Sequence, residues 1–231
     1  MNGIRIQTAS RLHFGLLAWK SGLLREFGGI GLMIAAPGIA LEARLAPAWQ
    51  AEGPLAKRAL QFAERMAARL AQEGALALPP ARIRILRAAP EHVGLGTGTQ
   101  LGLAVARALL ALGGQPEPPI DMLASLAERG LRSGIGLHGF VHGGLLVDGG
   151  KPVAGESGVP PLLCRLEFPA EWGVLVVVPD AQAGLHGLSE VQAFAQLPPF
   201  PEALTDRLCR LVLLGILPAV ADRALDDFGA S

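Results

Sequence analysis

The sequence predicts an α+β protein in two domains, on three observations. The chain opens with short alternating segments that read as strands joined by glycine and proline turns. A long amphipathic helix comes next, and after it a strand, a glycine turn and an apolar helix. Around Val153 to Pro161 the composition shifts to Gly, Ser and Pro, as at a hinge between domains. The first domain is expected over 1–158 and the second over 159–231.

Taken in order, Ile4, Ile6 and Thr8 alternate with Arg5 and Gln7, and Ser10 to Leu17 reads as a second extended segment. After a loop at Lys20 to Glu26, Phe27 to Ile34 is a glycine-bearing strand, and Gly38 to Leu45 a further one turned by Pro37-Gly38. From Pro54 to Glu73 the residues Leu55, Ala59, Phe62, Ala63, Met66 and Leu70 recur at helical spacing. Pro54 stands at the expected helix start and Gly74 at its end.

Ala81 to Arg87 is a half-buried strand. It leads into Pro90-Glu91-His92-Val93-Gly94-Leu95-Gly96-Thr97-Gly98-Thr99-Gln100 and an apolar helix that ends at Gly113-Gly114. Such a turn lets the backbone approach an anion, and the first helical turn adds N–H donors and the positive end of its dipole. Thr97 and Thr99 add hydroxyls. The spacing fits neither the Gly-Lys-Ser/Thr phosphate loop nor the dinucleotide fingerprint.

A shorter helix is expected from Ile120 to about Arg129. The second glycine-dense stretch, Gly130 to Gly144, then feeds a strand at Leu145 to Asp148 with a Gly149-Gly150 hairpin beyond it. Leu162 to Phe168 continues the sheet. Trp172 to Pro179 is a continuous β-branched run, expected as a strand buried on both faces. Beyond a loop at Asp180 to Leu188, Glu190 to Ala195 and Ala203 to Leu217 read as helices.

The 231 residues suffice for a sizeable core, and 51% of them are hydrophobic. Twenty basic residues cancel twenty acidic ones, and no long basic run occurs, which argues against nucleic acid or an anionic membrane as partner. Any anion site is therefore local. Cys164 and Cys209 fit no ligand-pair spacing and read as reduced structural thiols of a cytoplasmic protein. The N-terminus lacks the order of a signal peptide, and the apolar stretch from Leu211 to Ala221 is too short to cross a bilayer.

The order of motifs resembles the GHMP kinase superfamily. Pro90 to Thr99 matches its phosphate loop, and Ser133-Gly134-Ile135-Gly136 with Gly143-Gly144 matches its third motif. Gly136 stands where the kinases place an acidic catalytic base, and glycine cannot accept a proton. Arg11 replaces a lysine common in the first strand. Five stretches resemble more closely a non-kinase branch, the β-ribofuranosylaminobenzene 5'-phosphate synthase family. They are Ser10 to Gly15, Phe27 to Leu32, Pro90 to Gln100, Arg129 to Gly144, and Gly184-Leu185-His186-Gly187 with Glu190 and Phe194.

The resemblance implies a GHMP-kinase-like fold whose second domain is incomplete in this chain, and a homodimer. It also implies condensation of 5-phosphoribosyl 1-pyrophosphate with 4-aminobenzoate or 4-hydroxybenzoate, releasing pyrophosphate and carbon dioxide. Magnesium is expected with the pyrophosphate, held mostly by substrate and water, and ATP is not. An ATP-dependent small-molecule kinase is the first alternative, and a non-catalytic sensor of phosphate ligands the second.

Such chemistry needs donors for pyrophosphate, electrostatic support for an oxocarbenium-like centre and a cation for the carboxylate. Gly94, Leu95, Gly96, Thr97, Gly98, Thr99 and Gln100, with Ser133, Gly134 and Glu190, are the candidate binding residues. Arg11 and Arg132 are candidate clamps or ordinary surface ion pairs. His13 and His186 are candidates for proton transfer or substrate bonding, or structural hydrogen-bonders. Glu190 orients His186 or caps a helix, and Phe14 and Phe27 stack on the acceptor or pack the core. His138 and His142 have i, i+4 spacing, but their glycine-rich setting argues against a helix and a zinc pair there.

Overall fold

The computed structural model describes residues 3–74, 76–130, 132–154, 158–178 and 188–231, and for 188–191 the backbone alone. The strands are β1 (Ile4–Gln7), β2 (Ser10–Ala18), β3 (Arg25–Ile34), β4 (Ala40–Leu45), β5 (Gln50–Glu52), β6 (Ala81–Arg87), β7 (Leu145–Asp148), β8 (Lys151–Pro152) and β9 (Leu162–Leu166). The helices are α1 (Ala56–Gln72), α2 (Thr97–Leu112), α3 (Ile120–Ala127), α4 (Ile135–His142), α5 (Leu188–Gln196), α6 (Glu202–Leu211), α7 (Leu217–Ala221) and α8 (Leu225–Ala230).

Two compact units alternate along the chain. Met1–Ser10, Ala35–Glu91 and Leu95–Arg129 form the first, and Arg11–Ile34, His92–Gly94 and Gly130–Ser231 the second. This division is not the expected one at residue 158, because β7 and β9, on either side of that position, pair antiparallel.

The first unit holds a sheet in the order β1-β4-β6-β5, antiparallel except for the β5–β6 pair. In β6 the alternation is as expected, with Ala81, Ile83 and Ile85 buried and Arg82, Arg84 and Leu86 exposed. Helix α2 contacts α1, α3, β1 and β4, and is apolar nearly all round because it is covered nearly all round. Helix α1 buries Ala59, Phe62, Ala63, Met66 and Leu70. It starts two residues later than Pro54, since Leu55 turns the chain at φ 60°.

The second unit holds a sheet in the order β2-β3-β7-β9, with β8 also on β3. The expected Gly149-Gly150 hairpin does not form. Instead β8 continues along β3 in the register β7 began, Gly29 facing Asp148 and Glu26 facing Lys151. Gly150, at φ 63°, carries the chain between them.

Two further expectations are corrected. Residues Ile135–His142, argued above to be too rich in glycine, form helix α4. The propensity cost of Gly136 and Gly139, about 1 kcal/mol each, is outweighed by burial of Ile135 and Leu137 at 0% and 1% exposure. Gly139 also lets the helix backbone lie against Met33, whose Sδ stands 2.3 Å from where a Cβ would be. Residues 173–178, expected as a doubly buried strand, pair with no strand among the described residues. Leu175 and Val177 are 89% and 77% exposed. The hydrophobic run supplied β propensity, but a strand also needs a neighbour.

Towards the C-terminus α6 passes through a π-helical turn at Val212–Ile216 into α7, where Pro218 at the first turn has no N–H to donate. Among the described residues no helix is long and apolar enough to cross a membrane.

Candidate functional site

In the first unit the glycine loop is built as its sequence requires. Gly96 adopts φ 70° and serves as the N-cap of α2, and its carbonyl accepts the N–H groups of Thr99 and Gln100 at 3.0 and 3.1 Å. Leu95 is 2% exposed and anchors the loop, while Gly98 and Thr99 are partly open. The first N–H groups of a helix, here those of Thr97 and Gly98, have no carbonyl one turn earlier to bond and point toward the loop. Gly94, at φ 85°, belongs to the second unit.

Thr97 and Gln100 were expected among the binding residues, and their side chains are buried. Thr97 is 4% exposed and its hydroxyl donates to the Pro90 carbonyl at 2.6 Å, so it closes the loop on itself. Gln100 is 1% exposed and lies within the helix packing.

Sequence reasoning missed Arg58. From α1 its guanidinium lies over the first turn of α2, with Nη2 2.5 Å from where a Cβ on Gly98 would be. A glycine at 98 is what admits it. Arg58 is ion-paired with Glu91 at the loop's entry and stacks at 5.7 Å over Phe62. With Gln61, Phe62, Arg65 and Arg129 it also lines a groove. In the sequence Arg58 is one of several charged residues on the exposed face of α1, with no spacing to distinguish it.

In the second unit three of the resembling stretches converge on His13. Arg11 and His13 share one side of β2, two residues apart. A Cβ on Gly29 would stand 3.0 Å from the His13 Cε1, and one on Gly31 2.6 Å from both Ile135 Cγ2 and the Leu12 carbonyl. The glycines of β3 thus make room for the imidazole and for α4.

His13 Nε2 lies 3.2 Å from Ser133 Oγ, and Ser133 donates to Asp148 Oδ2 at 2.7 Å. Asp148, fully buried, also accepts the N–H of Gly134 on Oδ2 and that of Gly150 on Oδ1, both at 2.9 Å. It was not among the expected site residues. Its only sequence signal is an acid that ends an apolar strand ahead of two glycines.

Burial, reinforced by the Arg11 charge, lowers the His13 pKa from 6.5 to about 4. The imidazole is therefore neutral at working pH and cannot act as an acid. Full proton transfer to it from a phenol, ordinarily near 10, would cost about 8 kcal/mol. As a neutral ring it can accept a hydrogen bond at one nitrogen and donate one at the other.

Arg132 places its guanidinium 4.4 Å from the centre of the Phe194 ring on α5. Phe27 belongs to an aromatic cluster with Trp19, 5.4 Å away, so core packing is its part here, while Phe14 is half-exposed. The Glu190 backbone lies in α5, and its side chain and His186 lie outside the described residues. Helix α4 does stack His138 and His142, at 6.4 Å, but the His138 Nε2 donates to the Pro160 carbonyl at 2.7 Å. Among the described residues no group of three or more His, Cys, Asp or Glu is placed to hold a metal.

The model for the GHMP kinases N terminal domain matches residues 55–144. A beta-ribofuranosylphenol 5'-phosphate synthase of Archaeoglobus fulgidus is 34% identical over 98% of this chain and 73% of its own length. The Methanocaldococcus jannaschii protein of the same name is 30% identical over 97% and 74%. A Streptococcus pneumoniae phosphomevalonate kinase structure superposes with a TM-score of 0.62, covering 99% of this chain and 76% of its own, at 13% identity. That last likeness shows the fold, which is that of the GHMP kinases. The chain belongs to the beta-ribofuranosylphenol 5'-phosphate synthase family.

Proposed function

We propose that this protein joins 5-phosphoribosyl 1-pyrophosphate to 4-hydroxybenzoate, with loss of pyrophosphate and carbon dioxide, in methanopterin-type cofactor synthesis. The observation that carries this reading is the 34% identity, over nearly the whole chain, to a protein whose named product is a phenol ribotide. A phenol product favours the hydroxybenzoate over the aminobenzoate.

The bond from the sugar C1 to pyrophosphate breaks, and pyrophosphate takes the electron pair. The ring carbon bearing the carboxylate bonds to C1. The bond to the carboxylate then breaks, carbon dioxide leaves, and the pair it releases restores the aromatic ring. No net proton is gained or lost.

The α2 loop and Arg58 take the pyrophosphate, whose charge matches helix N–H groups and a guanidinium. Magnesium would supply charge neutralisation for the leaving pyrophosphate, with substrate and water expected to hold it. Arg11 and Arg132 are the cations for the sugar phosphate and the benzoate carboxylate. The expectation of a homodimer rests on the family resemblance, and that of a cytoplasmic protein on two unpaired cysteines, Cys164 and Cys209.

Gly136 leaves α4 without the side chain a kinase base requires. The test is release of pyrophosphate and carbon dioxide with magnesium and each benzoate, beside an ATP-consumption control. Both products with 4-hydroxybenzoate, at several-fold higher kcat/KM than with 4-aminobenzoate, are expected. ATP consumption on a small alcohol would establish the kinase instead, and tight substrate binding without turnover the sensor.

A further inference from the structure

The C-terminal end of α5 is fixed by the end of β2. The last carbonyls of a helix have no N–H further along the helix to bond, and cations and side-chain donors suit them. Here Lys20 Nζ donates to the Ala195 carbonyl at 3.1 Å and Trp19 Nε1 to that of Leu197 at 3.3 Å. The Phe200 N–H returns to the Trp19 carbonyl at 2.8 Å. Trp19, 8% exposed, also packs against Phe194, with ring centres 5.9 Å apart and planes at 76°. These bonds set the register of α5, and so the place of the Phe194 ring over which the Arg132 guanidinium lies.

Arg132 is held at its backbone end as well. Ser133, the next residue, donates to Asp148 Oδ2, and the Gly134 N–H bonds the same oxygen. A long side chain restrained at both ends has less rotamer freedom to lose when it binds. Stacking takes the face of the guanidinium and none of its N–H groups, which lie in the plane, so the contact is compatible with a bidentate bond from the edge.

We propose that Phe194 is a positioning residue for Arg132, its ring orienting the guanidinium so that the edge meets a substrate oxoanion, either the benzoate carboxylate or the sugar phosphate. This rests on the reading of Arg132 as a substrate cation. The stack itself is read without substrate, in proton spectra of the full chain with Arg132→Lys to assign the signals. Ring current is expected to shift the Arg132 side-chain protons upfield in the wild type and in Phe194→Tyr, and not in Phe194→Leu. An unshifted wild type would overturn the proposal.

Calorimetric titrations then separate the two oxoanions, one with phosphoribosyl pyrophosphate and magnesium, the other with 4-hydroxybenzoate in the presence of pyrophosphate and magnesium. Phe194→Leu, which keeps an apolar side chain and removes the ring, is expected to weaken at least one of them roughly fivefold, the worth of one partly exposed cation–π contact. The substrate that weakens is the one whose oxoanion Arg132 holds. Phe194→Tyr is expected to bind as the wild type does. In an Arg132→Ala background Phe194→Leu is expected to cost nothing further, whereas a ring that only packs α5 would cost the same with or without the arginine. Equal loss in both backgrounds, or unaltered affinity for both substrates in Phe194→Leu, would overturn the proposal and leave the synthase reading standing. Binding of neither substrate by the wild type would overturn both.

Discussion

At His13 two effects of the same sign set the charge state: burial strips water from the imidazolium, and Arg11 repels it. The folded pKa of about 4 lies below the ordinary 6.5, so between these values the unfolded chain binds a proton that the folded one refuses. Stability is therefore predicted to fall as the pH drops from about 6.5 toward 4, by at most about 3 kcal/mol from this residue. His13→Gln should flatten that dependence when urea unfolding is compared at pH 7 and 5.5, above the range where most carboxylates titrate. An unchanged slope in the variant would show that the native ring protonates freely. His13 was singled out as a candidate from Ser10 to Gly15 by resemblance. Its contact with Ser133, and through it Asp148, could not be read so, because those residues lie more than 100 positions away in the chain.

Among the elements, α2 opposes intrinsic propensity to anion binding at a single residue. Gly98 weakens the first turn, and alanine there should strengthen the helix by up to about 1 kcal/mol. Its Cβ would meet the far end of the flexible Arg58 side chain at 2.5 Å and push the guanidinium off the loop. Gly98→Ala is thus predicted to melt at an equal or higher temperature while binding inorganic pyrophosphate with magnesium roughly tenfold more weakly, the loss of one charge-assisted bond. Calorimetric titration beside a thermal melt measures both, and unaltered affinity would remove Arg58 from the site.

The strongly periodic elements, α1, β6 and α2, were legible because one chain segment carries the whole signal. Helix α4 was not, since what stabilises it is contact with Met33 and bonds to Asp148 and Ser133, all outside its own eight residues. For residues 173–178 the hydrophobic run misled, because periodicity reports what a strand would bury and not whether a partner strand is there.

Over the whole molecule, family membership and a GHMP-kinase fold with Gly136 in α4, where a base would need a side chain, point to carbon–carbon bond formation in place of phosphoryl transfer. The measurement that tests this most directly uses 4-hydroxybenzoate labelled with ¹³C in its carboxylate. The protein, phosphoribosyl pyrophosphate and magnesium should release labelled carbon dioxide and pyrophosphate in equal amounts, with an unlabelled phenol ribotide as the product. Pyrophosphate without labelled carbon dioxide would mean simple hydrolysis of the sugar substrate, and would contradict the account.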